Sequence, residues 1–218
     1  AGGAPAERLT IHCTPGFAAR WLVPRLARCP HPGEVAVSVS QGAPSTDFAR
    51  NGADIVVHWR DAPVPGVVVE PLMRSAQYPV ASPALVAREG IETPADLLRL
   101  ALIRAEVDDA WEDWLARAGV RARPARWGPT LAHCELSLTA AEREQGATMA
   151  YDAMARGAIR EGRLVRLFEA EVPAVTIYSV ARPESRRRCP ALRRMRDWMF
   201  AEVETEGTAV RLATADPG

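Results

Sequence analysis

The chain has 218 residues, a length that fits one large or two small domains. Hydrophobic residues make up 48% and charged residues 25%, as in ordinary globular proteins, and no apolar run reaches the roughly 18 residues of a membrane helix. All 27 basic residues are arginines, which excludes chemistry that needs a lysine amine, such as Schiff-base catalysis or the usual phosphate-binding P-loop. The formal net charge of zero gives the chain no overall attraction to nucleic acid or to a membrane.

Strand-like and helix-like segments alternate from the start of the chain, which is typical of an α/β fold with a largely parallel sheet. The first strand is predicted at Leu9–Cys13. A helix begins at Thr14-Pro15-Gly16, because Thr14 can cap it and a proline in the first turn sacrifices no hydrogen bond. Pro24 lies inside this helix and predicts a kink. The following strands are predicted at residues 34–40, 54–59 and 66–78, and Ser82-Pro83 and Thr93-Pro94 each open a helix.

The same alternation continues through the second half of the chain. Strands are predicted at 100–104, 128–132, 147–150, 164–168 and 175–180, and helices at 111–118, 134–145, 152–160 and 190–204. Gly146 is expected to end the helix at 134–145 in a left-handed conformation. The last helix carries Leu192, Met195, Met199 and Val203 on one apolar face, and periodicity is lost after Gly207.

Several blocks resemble, in matching order, the effector-binding domain of LysR-type transcription regulators, especially the branch of the glycine-cleavage activator. The blocks are P-G-F-A-A-R-W-L-V-P-R-L (15–26), D-F-A-R-N-G-A-D-I-V-V-H-W (47–59), L-M-R-S-A-Q-Y-P-V-A-S-P-A-L (72–85), T-P-A-D-L-L (93–98), W-E-D-W-L-A-R-A-G-V (111–120), G-R-L-V-R-L-F (162–168) and R-D-W-M (196–199). Together they extend the similarity over nearly the whole chain, from about residue 8 to residue 204.

This resemblance implies two Rossmann-like lobes arranged like those of periplasmic binding proteins and joined by two crossover strands. Lobe I would comprise residues 6–78 and 181–205, lobe II residues 79–180, and residues 206–218 would form a frayed tail. The resemblance also implies a small-molecule effector in the cleft, pairing of sensing domains in homo-dimers or tetramers, and DNA binding only through an N-terminal winged helix-turn-helix that nothing in this chain matches.

One stretch departs from the resembling branch. Where close relatives carry G-x-G-V-A-L, this chain has E-Q-G-A-T-M, so that Glu144 replaces the first glycine and Gly146 keeps the second. The added bulk and charge at Glu144 predict a remodelled inducer site, or one that is no longer used in the usual way.

Candidate effector contacts follow from a general rule of open parallel sheets, which bind ligands at the carboxyl ends of strands, where helix N-termini offer free N–H groups. Applied to the predicted strands, this rule gives Thr14, Gly16, Ser40, Gln41, His58, Trp59, Arg60, His133, Cys134 and Tyr151. The resemblance favours the same set at Thr14, Gly16, Ser40, Gln41, His133 and Cys134.

Five of these candidates also have a purely structural interpretation. Thr14 could serve only as a helix cap, Arg60 could pair with the adjacent Asp61, and His58 could be a hydrogen-bonded core histidine. The same applies to His133, and Trp59 could be an ordinary packing residue.

The four cysteines contain no C-x-x-C pair, and no secretory signal opens the sequence, so reduced thiols and a cytoplasmic location are predicted. Cys13 and Cys134 could form a redox switch, with two small buried hydrophobic side chains as the alternative. Cys29 and His31 lack ligand spacing to a further Cys or His, so neither a metal nor a cofactor is predicted.

A basic cluster of Arg186, Arg187, Arg188, Arg193, Arg194 and Arg196 could meet DNA or an acidic partner, although a solvated helix face is the preferred interpretation. Neither a G-x-S-x-G elbow nor an H-E-x-x-H motif is present, which leaves an enzyme without a recognisable nucleophile or metal set. The sequence therefore predicts a non-catalytic effector-binding domain, with a periplasmic-type solute-binding protein as the alternative.

Overall fold

A computed structural model describes residues 9–30, 33, 35–39, 45–59, 64–106, 109–124 and 126–207. Its strands are β1 Leu9–Cys13, β2 Val35–Val39, β3 Ile55–His58, β4 Val67–Ala81, β5 Leu102–Ala105, β6 Trp127–Leu131, β7 Ala147–Tyr151, β8 Val165–Arg166 and β9 Val172–Pro183. Its α-helices are α1 Phe48–Asn51, α2 Pro83–Glu89, α3 Trp111–Arg117, α4 Cys134–Glu142, α5 Asp152–Arg160 and α6 Pro190–Thr205. A π-helical segment lies at Phe17–Leu22, and 3-10 segments lie at Val23–Arg28, Pro94–Arg99 and Glu184–Arg186. Among the described helices, none has the length and apolar character to cross a membrane.

These elements form two compact α/β units. The first is drawn from residues 1–18, 22–74 and 175–218, and the second from residues 19–21 and 75–174. The chain passes from the first unit to the second along β4 and returns along β9. The lobe boundaries inferred from the sequence, after residues 78 and 180, remain a prediction. Of the predicted frayed tail at 206–218, residues 208–218 lie outside the described residues, and the described Glu206 pairs with Arg25.

The sheet of the first unit is organised around β1, which pairs in parallel with both β2 and β3. β9 pairs antiparallel with β3, and β4 lies beside β9, which gives the order β2-β1-β3-β9-β4. Ile11, Ile55 and Val180 are fully buried in this unit. Because β1 and β3 run in parallel, the loops that follow them begin at the same edge of the sheet.

Helix α6 completes the core of the first unit. Leu192, Met195, Met199 and Val203 are all buried, as their helical spacing predicted. Shortening one such side chain to alanine typically costs about 2–5 kcal/mol of folding free energy.

The sheet of the second unit has the order β4-β7-β5-β6, with β8 beside β4. β5 pairs in parallel with β6 and β7, whereas β7 pairs antiparallel with β4. The core is built on Trp111 and Trp114, whose indole N–H groups donate to the carbonyls of Ile103 (2.9 Å) and Ala170 (2.8 Å). Two buried indoles therefore have their polar atoms satisfied.

The predicted strand at 164–168 is shorter in the structure, where only Val165–Arg166 pair with β4. The Arg166 guanidinium turns to the carbonyl of Phe168, at 2.8 Å from Nε, and also lies over the Tyr78 ring. The Leu167 N–H still donates to the Pro79 carbonyl of β4 at 3.1 Å, and the strand pairing ends before Phe168, whose carbonyl bonds to the Arg166 side chain instead.

The first helix was predicted as one kinked segment, and it changes its hydrogen-bonding type where the proline occurs. The Val23 N–H donates to the Ala18 carbonyl in a π-helical pattern, and a 3-10 segment begins at Val23 with Pro24 in its first turn. Since proline has no N–H, a regular α-helical ladder cannot continue through this position.

The prediction for the end of α4 was wrong in position. The helix ends at Glu142 rather than at 145, and the left-handed residue is Glu144 (φ 60°), while Gly146 has φ 150°. Gly146 is nevertheless required, because a Cβ there would lie 2.1 Å from the Ala101 carbonyl oxygen. The Glu144 carboxylate, which is exposed, pairs with Arg88.

We expect opposite effects from two substitutions in this turn. Gly146→Ala should lower the free energy of unfolding by more than about 2 kcal/mol, because backbone must move to admit the Cβ. Glu144→Gly should raise the free energy of unfolding by up to about 1 kcal/mol. A left-handed non-glycine residue costs about 1–2 kcal/mol, and the exposed ion pair with Arg88 that is lost stabilises the fold only slightly. Urea unfolding measures both changes, and Arg88→Ala isolates the contribution of the ion pair. Destabilisation by Glu144→Gly beyond that of Arg88→Ala would contradict this account.

Candidate functional site

Thr14 lies at the carboxyl end of β1 and is buried. Its carbonyl accepts the Ala18 N–H at 3.0 Å, and its Oγ1 accepts the Phe17 N–H at 3.3 Å, so the predicted capping role is confirmed. The same Oγ1 lies 3.2 Å from the Tyr178 Oη. Thr14 therefore both starts the helix and takes part in a buried pair of hydroxyl groups.

Tyr178 is the member of this pair that the sequence did not reveal. It lies on β9, is buried, and packs its ring 4.9 Å from the ring of Phe17. Hydroxyl groups donate and accept hydrogen bonds, so the pair can match either kind of polar group on a ligand. The two residues are 164 positions apart, and the pairing of β3 with both β1 and β9 brings them together.

The other predicted contacts of the first unit occupy the same edge of the sheet. Gly16 is buried at the start of the π-helical segment, with φ −63°. His58 is the last residue of β3 and is also buried, whereas the following Trp59 is 38% exposed. The predicted residues Ser40, Gln41 and Arg60 lie outside the described residues.

A buried hydroxyl group belongs to the residue that pairs with His58 on the neighbouring strand β9. The Cα of Ser179 is paired with that of His58, and Ser179 is fully buried. Its Oγ has no hydrogen-bond partner within the described part of the chain. A buried hydroxyl without a partner is costly, so a nearby polar group that can bond Ser179 would be favoured.

The predicted contacts of the second unit also lie at one edge of a sheet. His133 and Cys134 follow β6 and begin α4, and Tyr151 ends β7 and begins α5. Both strands run parallel to β5, so their carboxyl ends point the same way. The His133 carbonyl accepts the N–H groups of Leu136 and Ser137 in the first turn of α4.

Arg20 is a second residue that sequence reasoning missed. Its guanidinium donates from Nε to Glu135 (2.5 Å), from Nη1 to Glu142 (2.6 Å) and from Nη2 to Thr139 (3.3 Å), which binds it along one face of α4. Burial alone would lower the pKa of Arg20, but the hydrogen bonds to the two carboxylates outweigh it and raise the pKa. Arg20 therefore stays charged and neutralises the acidic face of this helix.

This ion pair limits what the start of α4 can bind. Glu135 lies in the first turn, where the helix dipole favours a negative charge. A ligand carboxylate at the same place would meet the Glu135 charge, and only one of them could use the Arg20 guanidinium. The Glu135 charge therefore opposes a second carboxylate at this edge of the sheet.

The thiols at the two edges are poor nucleophiles. Burial raises the pKa of Cys13 to about 12. Burial, together with the nearby Glu135 charge, raises the pKa of Cys134 to about 11. Because the thiolate is the reactive form, these environments oppose the redox role considered for the two cysteines and favour their role as small packing residues.

We expect Cys134 to react with iodoacetamide at pH 8 about a hundredfold more slowly than in the urea-unfolded protein, because a rise of about two pKa units lowers the thiolate fraction about that much. Mass spectrometry of the alkylated peptide measures both rates. Alkylation of native Cys134 within tenfold of the unfolded rate would contradict the inferred environment.

Comparison with known proteins gives a consistent answer. The sequence profile of the LysR substrate binding domain matches residues 2–204. The glycine cleavage system transcriptional activator of Escherichia coli (strain K12) is 28% identical over 201 residues, which cover 91% of this chain and 66% of that protein. The HTH-type transcriptional activator AmpR of Citrobacter koseri is 28% identical over 200 residues, covering 91% of this chain and 68% of AmpR. The chain thus spans slightly less than two thirds of the length of the E. coli relative.

Solved structures agree in fold. The effector domain of the transcriptional regulator AmpR of Pseudomonas aeruginosa superposes with a TM-score of 0.73 at 26% identity, covering 91% of this chain and 96% of that domain. These relatives are transcription regulators and not enzymes, in agreement with the prediction. The resemblance inferred from the sequence blocks is confirmed, and the chain belongs to the LysR substrate-binding domain family.

Proposed function

We propose that this chain is the effector-binding domain of a LysR-type transcription regulator and senses a small polar molecule through the groups at its strand ends. The buried hydroxyl pair of Thr14 and Tyr178, at the carboxyl end of β1, carries the proposal. Both groups can exchange their mutual hydrogen bond for bonds to a ligand, and Phe17 offers an aromatic wall beside them.

The proposal includes the other predicted effector contacts, because they too follow the carboxyl ends of strands. In the first unit they are Gly16, Ser40, Gln41, His58, Trp59 and Arg60, and in the second unit they are His133, Cys134 and Tyr151. The Glu135 charge opposes an effector carboxylate at the second set.

For the full-length protein we propose control of transcription in the cytoplasm by a homo-oligomer. DNA would be bound by a winged helix-turn-helix encoded upstream of this chain. Support comes from the relatives, which are named as transcriptional activators and extend well beyond the matched region.

A periplasmic-type solute-binding protein is the competing proposal, because it would use the same kind of strand-end site. The two proposals differ in the natural gene. A winged helix-turn-helix encoded before residue 1 supports the regulator, whereas a secretion signal directly before residue 1 overturns it.

A thermal-shift screen with a metabolite library tests the sensing role, because a ligand that binds only the native state raises the melting temperature. We expect at least one small polar metabolite to raise it at saturating concentration. Thr14→Val and Tyr178→Phe should each lower the affinity for that metabolite about tenfold, or ~1.4 kcal/mol, through loss of a hydrogen bond.

Thr205→Val is the matched control. Among the described residues the Thr205 hydroxyl donates to the Ala201 carbonyl of its own helix, so its loss should leave affinity unchanged. A library without any thermal shift would contradict a working small-molecule site. Unchanged affinity in Thr14→Val would remove Thr14 from it.

A further inference from the structure

The first unit contains an open cavity of about 430 Å³ whose walls are almost entirely charged. Its lining residues are Glu70, Arg182, Arg187, Arg188, Arg193, Arg196 and Asp197. Five guanidinium groups face two carboxylates, which leaves a formal charge of about +3. Four arginines of the basic cluster seen in the sequence, Arg187, Arg188, Arg193 and Arg196, line this cavity, and the first three are exposed as a solvated face predicts.

Glu70 holds one side of the cavity together. Its carboxylate accepts from Arg182 Nη2 at 3.1 Å and from Arg196 Nη2 at 2.6 Å, which joins β4, β9 and α6. Arg182 is largely buried and also donates to the Arg187 carbonyl at 3.3 Å. Burial would raise the pKa of Glu70, but the hydrogen bonds from the two arginines outweigh it and lower the pKa. These two arginines are thus fixed in place by one shared carboxylate.

The other three arginines of the cavity are differently placed. Arg187, Arg188 and Arg193 are exposed, and none has a carboxylate partner among the described residues. Their neighbour Arg186 contrasts with them, because it pairs with Asp54. The cavity therefore presents three guanidinium groups whose charge the described part of the protein leaves uncompensated.

The cavity lies away from the strand-end groups of the proposed effector site. Arg182 follows Ala181, which is paired with Val56, whereas His58 is paired with Ser179. At about 3.3 Å per residue, this places Arg182 roughly 10 Å along β3 from its carboxyl end, toward the opposite edge of the sheet. Occupation of one site need not exclude occupation of the other.

We propose that this cavity binds a small, multiply charged anion of the diphosphate class. Its volume lies in the roughly 300–1,000 Å³ range of small-molecule sites, and planar guanidinium groups bind phosphate oxygens in a bidentate manner. Three uncompensated guanidiniums match the several oxygens of a diphosphate better than the two of one carboxylate. The source of the diphosphate can be inorganic diphosphate or a nucleoside diphosphate.

Isothermal titration calorimetry with inorganic diphosphate tests the proposal, first in 50 mM and then in 300 mM NaCl. We expect one saturable site that weakens with salt, because the contacts are ionic. The double variant Arg188→Gln/Arg193→Gln should lose at least tenfold in affinity while keeping its circular dichroism, since neither side chain has a structural partner among the described residues.

Arg194→Gln is the matched control, because Arg194 is exposed on the same helix but does not line the cavity. We expect it to change affinity less than twofold. Equal losses in the control and the double variant would show unspecific attraction and overturn the proposal, as would absence of saturable binding.

A parallel titration with ADP distinguishes the two sources. Tighter binding of ADP than of inorganic diphosphate would assign the cavity to a nucleotide, and equal or weaker binding would assign it to the inorganic ion. Binding of duplex DNA, lost in the double variant and without any diphosphate binding, would show that the surface contacts nucleic acid and would overturn the small-anion proposal.

Discussion

Parallel pairing of β1 with both of its neighbours is the constraint on which the arrangement of the first unit depends. Parallel strands must be joined by crossovers, so the strands end at the same edge of the sheet, and each is followed there by a loop or helix. Thr14 and His58 are brought to one edge in this way. The antiparallel β9 then adds Tyr178 from the far end of the sequence. In the second unit β5 likewise pairs in parallel with both of its neighbours, β6 and β7.

Local signals in the sequence were sufficient for the elements that these edges use. The cap at Thr14, the apolar face of α6 and the bounds of α5 each depend on residues within a few positions of one another, and each prediction is confirmed. The partners of the site residues are different. Tyr178 lies 164 residues from Thr14, and Glu135 lies 115 residues from Arg20. The local hydrophobic pattern around one residue of each pair does not indicate its distant partner.

The turn after α4 shows a limit of the rule that a glycine near a helix end marks the left-handed residue at which the helix stops. A glycine near a helix end indicates a special backbone conformation, and Gly146 has one, but the left-handed residue proved to be Glu144. The requirement at Gly146 comes from the approach of the Ala101 carbonyl, which lies on a different segment. Sequence therefore identified the residue that matters and misplaced the end of the helix, because tertiary contact and not helix termination determines the glycine.

The guanidinium walls of the cavity in the first unit have a consequence for how the domain can be controlled. Arginine side chains keep their proton throughout the physiological range, and the chain contains no lysine whose acetylation could erase a positive charge. Acetyltransferases and amine-directed labels find no side-chain amine in this domain. The positive charge of the cavity's five arginines is therefore a permanent property of the fold, and the net charge of the cavity varies only through Glu70, Asp197 and the ions that gather around them.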